Sequence, residues 1–221
     1  MIPFQSEFAE RRQQVKRYIS IVLSEQRAQV SGVSSSVLIQ RQNVLKAGSF
    51  LILYNLIEAT ARSAIDAIHD DMIATKVTFE ELRPPLRSEV IRGFKRRSNP
   101  EAHRDLTDIP VSLVAASLDT EHSFSGNVDA RMLRDLGDVY GFSTVSDKER
   151  TRNGADLLTI KTNRNDLAHG RKTYEEVGRA YTSREILSLA LRATFFIDAL
   201  VLNVASYVGQ REYLKPPPEG G

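Results

Sequence analysis

The densest chemistry in this chain lies in seven residues, Arg164-Asn165-Asp166-Leu167-Ala168-His169-Gly170. An arginine carries a permanent positive charge on planar, forked donors that match carboxylate and phosphate oxygens. An imidazole is the side chain best suited to take and give a proton near neutral pH. Together they suit work on an anion, with Asn165 as a neutral hydrogen-bonding neighbour. On a helix turning about 100° per residue, Leu157, Ile160, Leu167 and Ala168 form one apolar stripe, and Arg164 falls inside it. Asn165 and His169, one turn apart, share the neighbouring stripe with Leu158. A buried arginine is costly unless it is paired, so Arg164 is expected to meet a carboxylate or a phosphate.

A second helical stretch offers the complement. From Ser49 to Ile68, one stripe (Phe50, Ile57, Ala61, Ala64, Ile68) is apolar, while the adjacent stripe reads Leu51, Asn55, Glu58, Arg62, Ile65. Glu58 is placed to pair with Arg62 on its own helix or with Arg164 across a bundle. The plainer alternative is a structural ion pair inside the bundle.

Other chemistries lack their residues. The chain has no Cys, which excludes disulfides, Cys-ligated zinc, iron–sulfur clusters and thiol nucleophiles. A Gly-rich phosphate loop, GxSxG and HExxH are all missing, so neither a cofactor nor a metal is expected. His69-Asp70-Asp71 reads as a solvated helix end, and His103 and His122 fall in a polar connection. Net charge is only +2, but 22 of the 30 basic residues are Arg. A GC-rich coding bias gives the same excess, so the count alone selects nothing.

The elements that must position these residues are helices. Hydrophobic residues make up 41% of the 221, enough for a core without covalent staples. Phe8, Val15, Ile19, Val22 and Leu23 predict a first helix over about 6–29. A second is expected from Val37 to about Ala74, with Gly48-Ser49 as a candidate bend. A third covers Phe79–Arg97, beginning in earnest near Pro84, with Thr78 and Glu81 as a capping box. Residues 98–126 are polar and irregular, with Val111–Leu118 as a short strand or a buried extended piece. A fourth helix follows over Val128–Tyr140, ended by Gly141, and a fifth over Glu149–Ala168, stopped by Gly170. The last opens on Thr182-Ser183-Arg184-Glu185 and runs to about Arg211. The expectation is an all-α bundle of five to six helices over residues 1–214, with a disordered tail at 215–221.

These patches resemble the HEPN superfamily. Arg164-Asn165-x-x-x-His169 is similar to its R-x4-6-H motif, in which a polar residue commonly follows the Arg. Leu51–Arg62 resembles the long second helix of MAE-type HEPN proteins, and Phe124-Ser125-Gly126-Asn127-Val128 is similar to the segment ahead of their fourth helix. The resemblance implies a metal-independent endoribonuclease whose products carry 2′,3′-cyclic phosphate and 5′-hydroxyl ends. His169 would move the protons and Arg164 would hold the phosphate. Asn165 would orient the imidazole or hold a phosphate oxygen. It also implies a homodimer whose motif helices share one cleft, and RNA as substrate.

Two readings stay open at this point. One is the enzyme, as a toxin or effector in a bacterial defence or toxin–antitoxin system, with an antitoxin or effector protein as partner. The other is a non-catalytic HEPN-like module for dimerisation, nucleotide or RNA binding, or protein docking. The N-terminus shows no signal pattern, and Ile186–Val208 reads as a buried core helix because Arg192, Asp198 and Asn203 interrupt it. A cytoplasmic protein with no membrane partner is expected.

Overall fold

A computed structural model describes residues 3–30, 36–97, 124 and 126–216. Its helices are α1 (Pro3–Val30), α2 (Ser36–Ala74), α3 (Pro84–Arg97), α4 (Ala130–Tyr140), α5 (Lys148–Thr151), α6 (Ala155–Ala168), α7 (Tyr174–Arg179) and α8 (Ser183–Gln210). Among the described residues the regular structure is helical, and the protein is an all-α bundle.

The 39-residue α2 is the spine, packed by α1, α6, α7 and α8. Its expected apolar stripe is its core face: Phe50, Ile57, Ala61, Ala64 and Ile68 are all buried. By length and composition α2 is apolar enough to cross a bilayer, but 56% of its most apolar window is buried within the protein, as in a core helix. It runs as one helix through Gly48-Ser49. Gly48 serves close approach instead, because a methyl group there would overlap the Tyr18 hydroxyl, which donates to Leu45 O at 2.9 Å.

Helix ends follow local chemistry. Three Thr-x-x-Glu boxes open helical turns: Thr78/Glu81 before a 3-10 turn at Phe79–Glu81, Thr173/Glu176 before α7, and Thr182/Glu185 before α8. In each, the Glu carboxylate accepts the Thr backbone N–H at 2.7 Å. That bond, reinforced by the Thr hydroxyl, holds all three carboxyls below the usual glutamate range. A lowered carboxyl pKa stabilises the fold above the unfolded-state value, and the contribution is lost as pH falls through the folded-state value. Melting temperature should therefore fall as pH drops below about 4.3, the ordinary Glu value. A variant carrying Glu81→Gln, Glu176→Gln and Glu185→Gln should show a shallower fall. An unchanged acid slope in that variant would remove the boxes from the account.

Three expectations need correction. The fifth helix is not continuous from Glu149 to Ala168. Arg152 (φ 50°), Asn153 (φ 53°) and Gly154 (φ 75°) take left-handed conformations and split it into α5 and α6. A Cβ at Gly154 would press on Ala130 and Phe196, each 2.8 Å away, so close packing and the Asn-Gly turn pair together override helical periodicity. Second, Ala168 is exposed, because it occupies the last turn of α6, where the apolar stripe runs off the bundle. Third, His69 is not solvated. It is buried inside α2, its Nε2 lies 2.8 Å from the Tyr140 hydroxyl, and Asp71 accepts the Tyr213 hydroxyl at 2.5 Å.

Helix α7 was not anticipated at all; its Gly178 is a close-approach site against the Asn43 backbone of α2. Val111–Leu118, His103 and His122 lie outside the described residues. Of the expected tail, Lys215 is described and donates its N–H to Glu81 O at 2.8 Å.

Candidate functional site

Arg164 lies where the stripe rule put it, on the α6 face directed at α2, with its neighbours Leu157, Ile160 and Leu167 buried. Its side chain remains 27% exposed, and the expected carboxylate is Glu58, 3.8 Å from Nη2. The other Glu58 oxygen stands 3.7 Å from Arg62 Nη2. Both pairings left open by the sequence are thus present together. One carboxylate spans two guanidinium groups.

The rest of the Arg164 environment fixes its plane. The guanidinium carbon sits 4.3 Å from the centroid of the Tyr54 ring, inside cation–π range. Nη1 donates to Asn165 Oδ1 at 2.8 Å and to Gly126 O at 3.4 Å. Tyr54 is in turn held by the Val128 N–H, which its hydroxyl accepts at 2.9 Å. Burial raises the Tyr54 phenol above its ordinary value, opposed by the Val128 N–H, so the ring stays neutral under the cation.

Phe124 and residues 126–128 close one side. Asn127 Oδ1 accepts from Asn165 Nδ2 at 3.3 Å, and Phe124 O accepts from Arg62 Nη2 at 3.4 Å. The Arg62 guanidinium also lies 5.5 Å from the Phe124 ring centroid. Asn165 therefore has its amide committed to Arg164 and Asn127; it orients the arginine. Asn55 is exposed and lines the same cleft.

His169 is the C-cap of α6, one turn after Asn165, whose carbonyl accepts the His169 N–H at 3.0 Å. Its side chain is exposed. The helix stops because Gly170 turns left-handed at φ 65°. Leu158, on the same stripe as Asn165 and His169, is 54% exposed. Beside the site, Lys161 pairs with Asp129, the N-cap of α4. Burial raises the Asp129 carboxyl, but Lys161 and the Met132 N–H outweigh it and leave the group below its usual range.

Arg164, Arg62 and Glu58 open on a cleft of about 410 Å³ between α1, α2 and α6, which Tyr54, Asn55 and Arg11 also line. Among the described residues no group of three or more His, Asp or Glu side chains gathers as a metal ligand set. The arrangement offers fixed positive charge to an anion, while the His169 imidazole stands on the exposed end of the same helix, outside the cleft lining. Sequence reasoning missed Tyr54 and Arg11. The signal for Tyr54 is its spacing, since 54, 58 and 62 repeat every four residues and share one helix face. Nothing local in the sequence marks Arg11, which is brought in from α1 by tertiary packing.

The Glu58 pairs are long and only partly shielded, with the carboxylate 20% exposed. Glu58→Ala should cost about 1–2 kcal/mol in denaturant titrations, below the ~3–5 kcal/mol of a fully buried pair. A loss near zero would mean that Tyr54, Asn165 and the Gly126 carbonyl hold Arg164 without Glu58.

The chain as a whole matches a family model for MAE_28990-like HEPN domains over residues 4–213. No curated protein and no solved structure matches it significantly. With nearly the full length covered by that model, the chain belongs to the HEPN superfamily, in its HEPN_MAE_28990 family.

Proposed function

We propose that this HEPN protein is a metal-independent endoribonuclease acting through Arg164 and His169. The observation that carries the reading is the state of Arg164, whose guanidinium is locked in plane by Tyr54 and Asn165 yet faces an open cleft. In the reaction, the ribose 2′-oxygen attacks the adjacent phosphorus and the bond to the 5′-oxygen breaks. His169 takes the 2′-hydroxyl proton, and the leaving oxygen receives a proton in turn. Arg164 pairs with the charge that grows on the phosphorane oxygens. RNA incubated with the pure protein in EDTA should be cut, leaving 2′,3′-cyclic phosphate and 5′-hydroxyl ends. Cleavage that disappears with chelator would sink the reading.

One imidazole serves both proton transfers poorly, so we place two motifs around one phosphate in a two-fold dimer. Light scattering at micromolar concentration should give twice the 24.8 kDa chain mass. A fully active monomer would refute the shared cleft. In a cell, this activity suits the toxic half of a bacterial defence or toxin–antitoxin pair, silenced by a protein partner.

One observation favours a non-catalytic HEPN module instead: Arg164 already has four partners in the free chain, as a structural arginine would. That reading requires binding without cleavage, and Arg164→Ala would then change stability and nothing else.

A further inference from the structure

We infer that the cleft holds a second phosphate subsite, built by Arg11 and Arg62, for the backbone phosphate next to the one at Arg164. The inference rests on the ribonuclease reading and deepens it, because it makes the substrate a strand rather than an isolated phosphodiester. The cleft lining contains three guanidinium groups, from Arg11, Arg62 and Arg164, against one carboxylate, Glu58. Arg164 and Arg62 flank that carboxylate at 3.8 and 3.7 Å. Arg62 follows Glu58 by one turn of α2, a rise of roughly 6 Å. Because both guanidinium groups approach the same carboxylate, Arg62 and Arg164 stand close enough together for successive phosphates of a single strand.

Arg11 arrives from α1 and is aimed by Glu7, whose Oε2 accepts from Arg11 Nη1 at 3.1 Å and from Ser63 Oγ at 2.9 Å. Ser63 is the next residue after Arg62, so the Glu7 contact brings the two arginines to the same wall. The Arg11–Glu7 pair is solvent-accessible, with the carboxylate 46% exposed, so it is weak and a phosphate competes with it readily. Arg62 is held by the Phe124 ring and carbonyl, leaving its outer face to the cleft.

The neighbouring surface limits the track. Beyond Ser63 lies a second pocket lined by Glu7, Asp66, Asp70 and Asp71, with Arg211 as its cation. A polyanion is repelled there, so the strand contacts end at Arg11 and the footprint on this wall is two phosphates.

The test is binding, separated from cleavage. An RNA decamer with 2′-O-methyl groups cannot be cut by 2′-oxygen attack, and its dissociation constant is read by fluorescence anisotropy across a salt series. Each phosphate contact on a single strand contributes about 0.7 to the slope of log K against log salt. Arg11→Gln should weaken binding about five- to tenfold at low salt and reduce the slope by about 0.7. Arg62→Gln should do the same, whereas Arg211→Gln, in the acidic pocket, should do neither. With a neutral methylphosphonate backbone the Arg11→Gln effect should vanish. An unchanged slope in Arg11→Gln, an equal loss on the neutral backbone, or no binding by the wild-type protein would each overturn the subsite. Cleavage of unmodified RNA is scored separately, so a protein that binds in this way and never cuts refutes the ribonuclease reading alone.

Discussion

His169→Ala should reduce RNA cleavage by about a hundred- to ten-thousandfold while leaving the melting temperature where it was. The two halves of that result come from one fact: the ring is exposed at the C-cap of α6 and makes no hydrogen bond to any described residue. Removing it takes away a proton carrier and almost no packing. Arg164→Ala should abolish cleavage to a similar degree but also lower stability, because Tyr54, Asn165, Glu58 and Gly126 all lose a partner. Arg164→Lys keeps the charge and loses the fork, and should recover stability better than rate. Activity that persists in His169→Ala would refute the assigned proton carrier.

The largest expected stability effect is at Asp156, far from any proposed chemistry. This residue is buried in the first turn of α6 and bonded by Arg192 of α8, with Arg152 at 3.5 Å. Asp156→Ala strands the Arg192 charge and should cost about 3–5 kcal/mol. For a chain of this size that lowers the melting temperature by roughly 10 °C, measurable by calorimetry. A loss under about 1 kcal/mol would mean that Arg192 swings out to water. The variant should retain cleavage chemistry at temperatures where it is folded, which separates it from the Arg164 series.

The long helices were legible because burial repeats with their period: α2 and α8 begin and end within two residues of the expected bounds. The three polar interruptions in α8 were correctly placed inside a core helix, and each has a partner. Arg192 meets Asp156, Asp198 meets Arg12 at 3.3 Å, and Asn203 donates to Ser143 O and Val145 O at 3.0 Å. The break at 152–154 had a signal in Asn153-Gly154, but the helical periodicity on either side outweighed it in the reading, and the close approach of Ala130 and Phe196 is what makes the turn obligatory. The buried His69 was misread for a related reason. A histidine followed by two aspartates looks solvated until Tyr140, distant in sequence, supplies its polar partner. At the site, Arg164 and Glu58 could be paired from stripes alone, because each was a charge on an apolar face. Tyr54 was marked by its four-residue spacing to Glu58 and Arg62, whereas Arg11 acts through the packing of α1 onto α2, which no local pattern encodes.

The continuity of α2 has a consequence for timescales. Tyr54, Glu58 and Arg62 stand mid-length in a helix pinned at Asn43 by α7, at His69 by Tyr140 and at Asp71 by Tyr213. Backbone amides there should exchange with solvent only on global opening, which exchange measurements can check, so the cationic floor is expected to keep one shape. His169 stands on the last turn of a helix, before a left-handed Gly170 with open space around it. The backbone of that turn is held too, because the Gly170 and Arg171 N–H groups donate to Leu167 O and Asp166 O at 3.2 and 2.8 Å. With both backbones fixed, a strand bound as proposed must conform to the floor, and the freedom left at the site is rotation of the exposed His169 side chain.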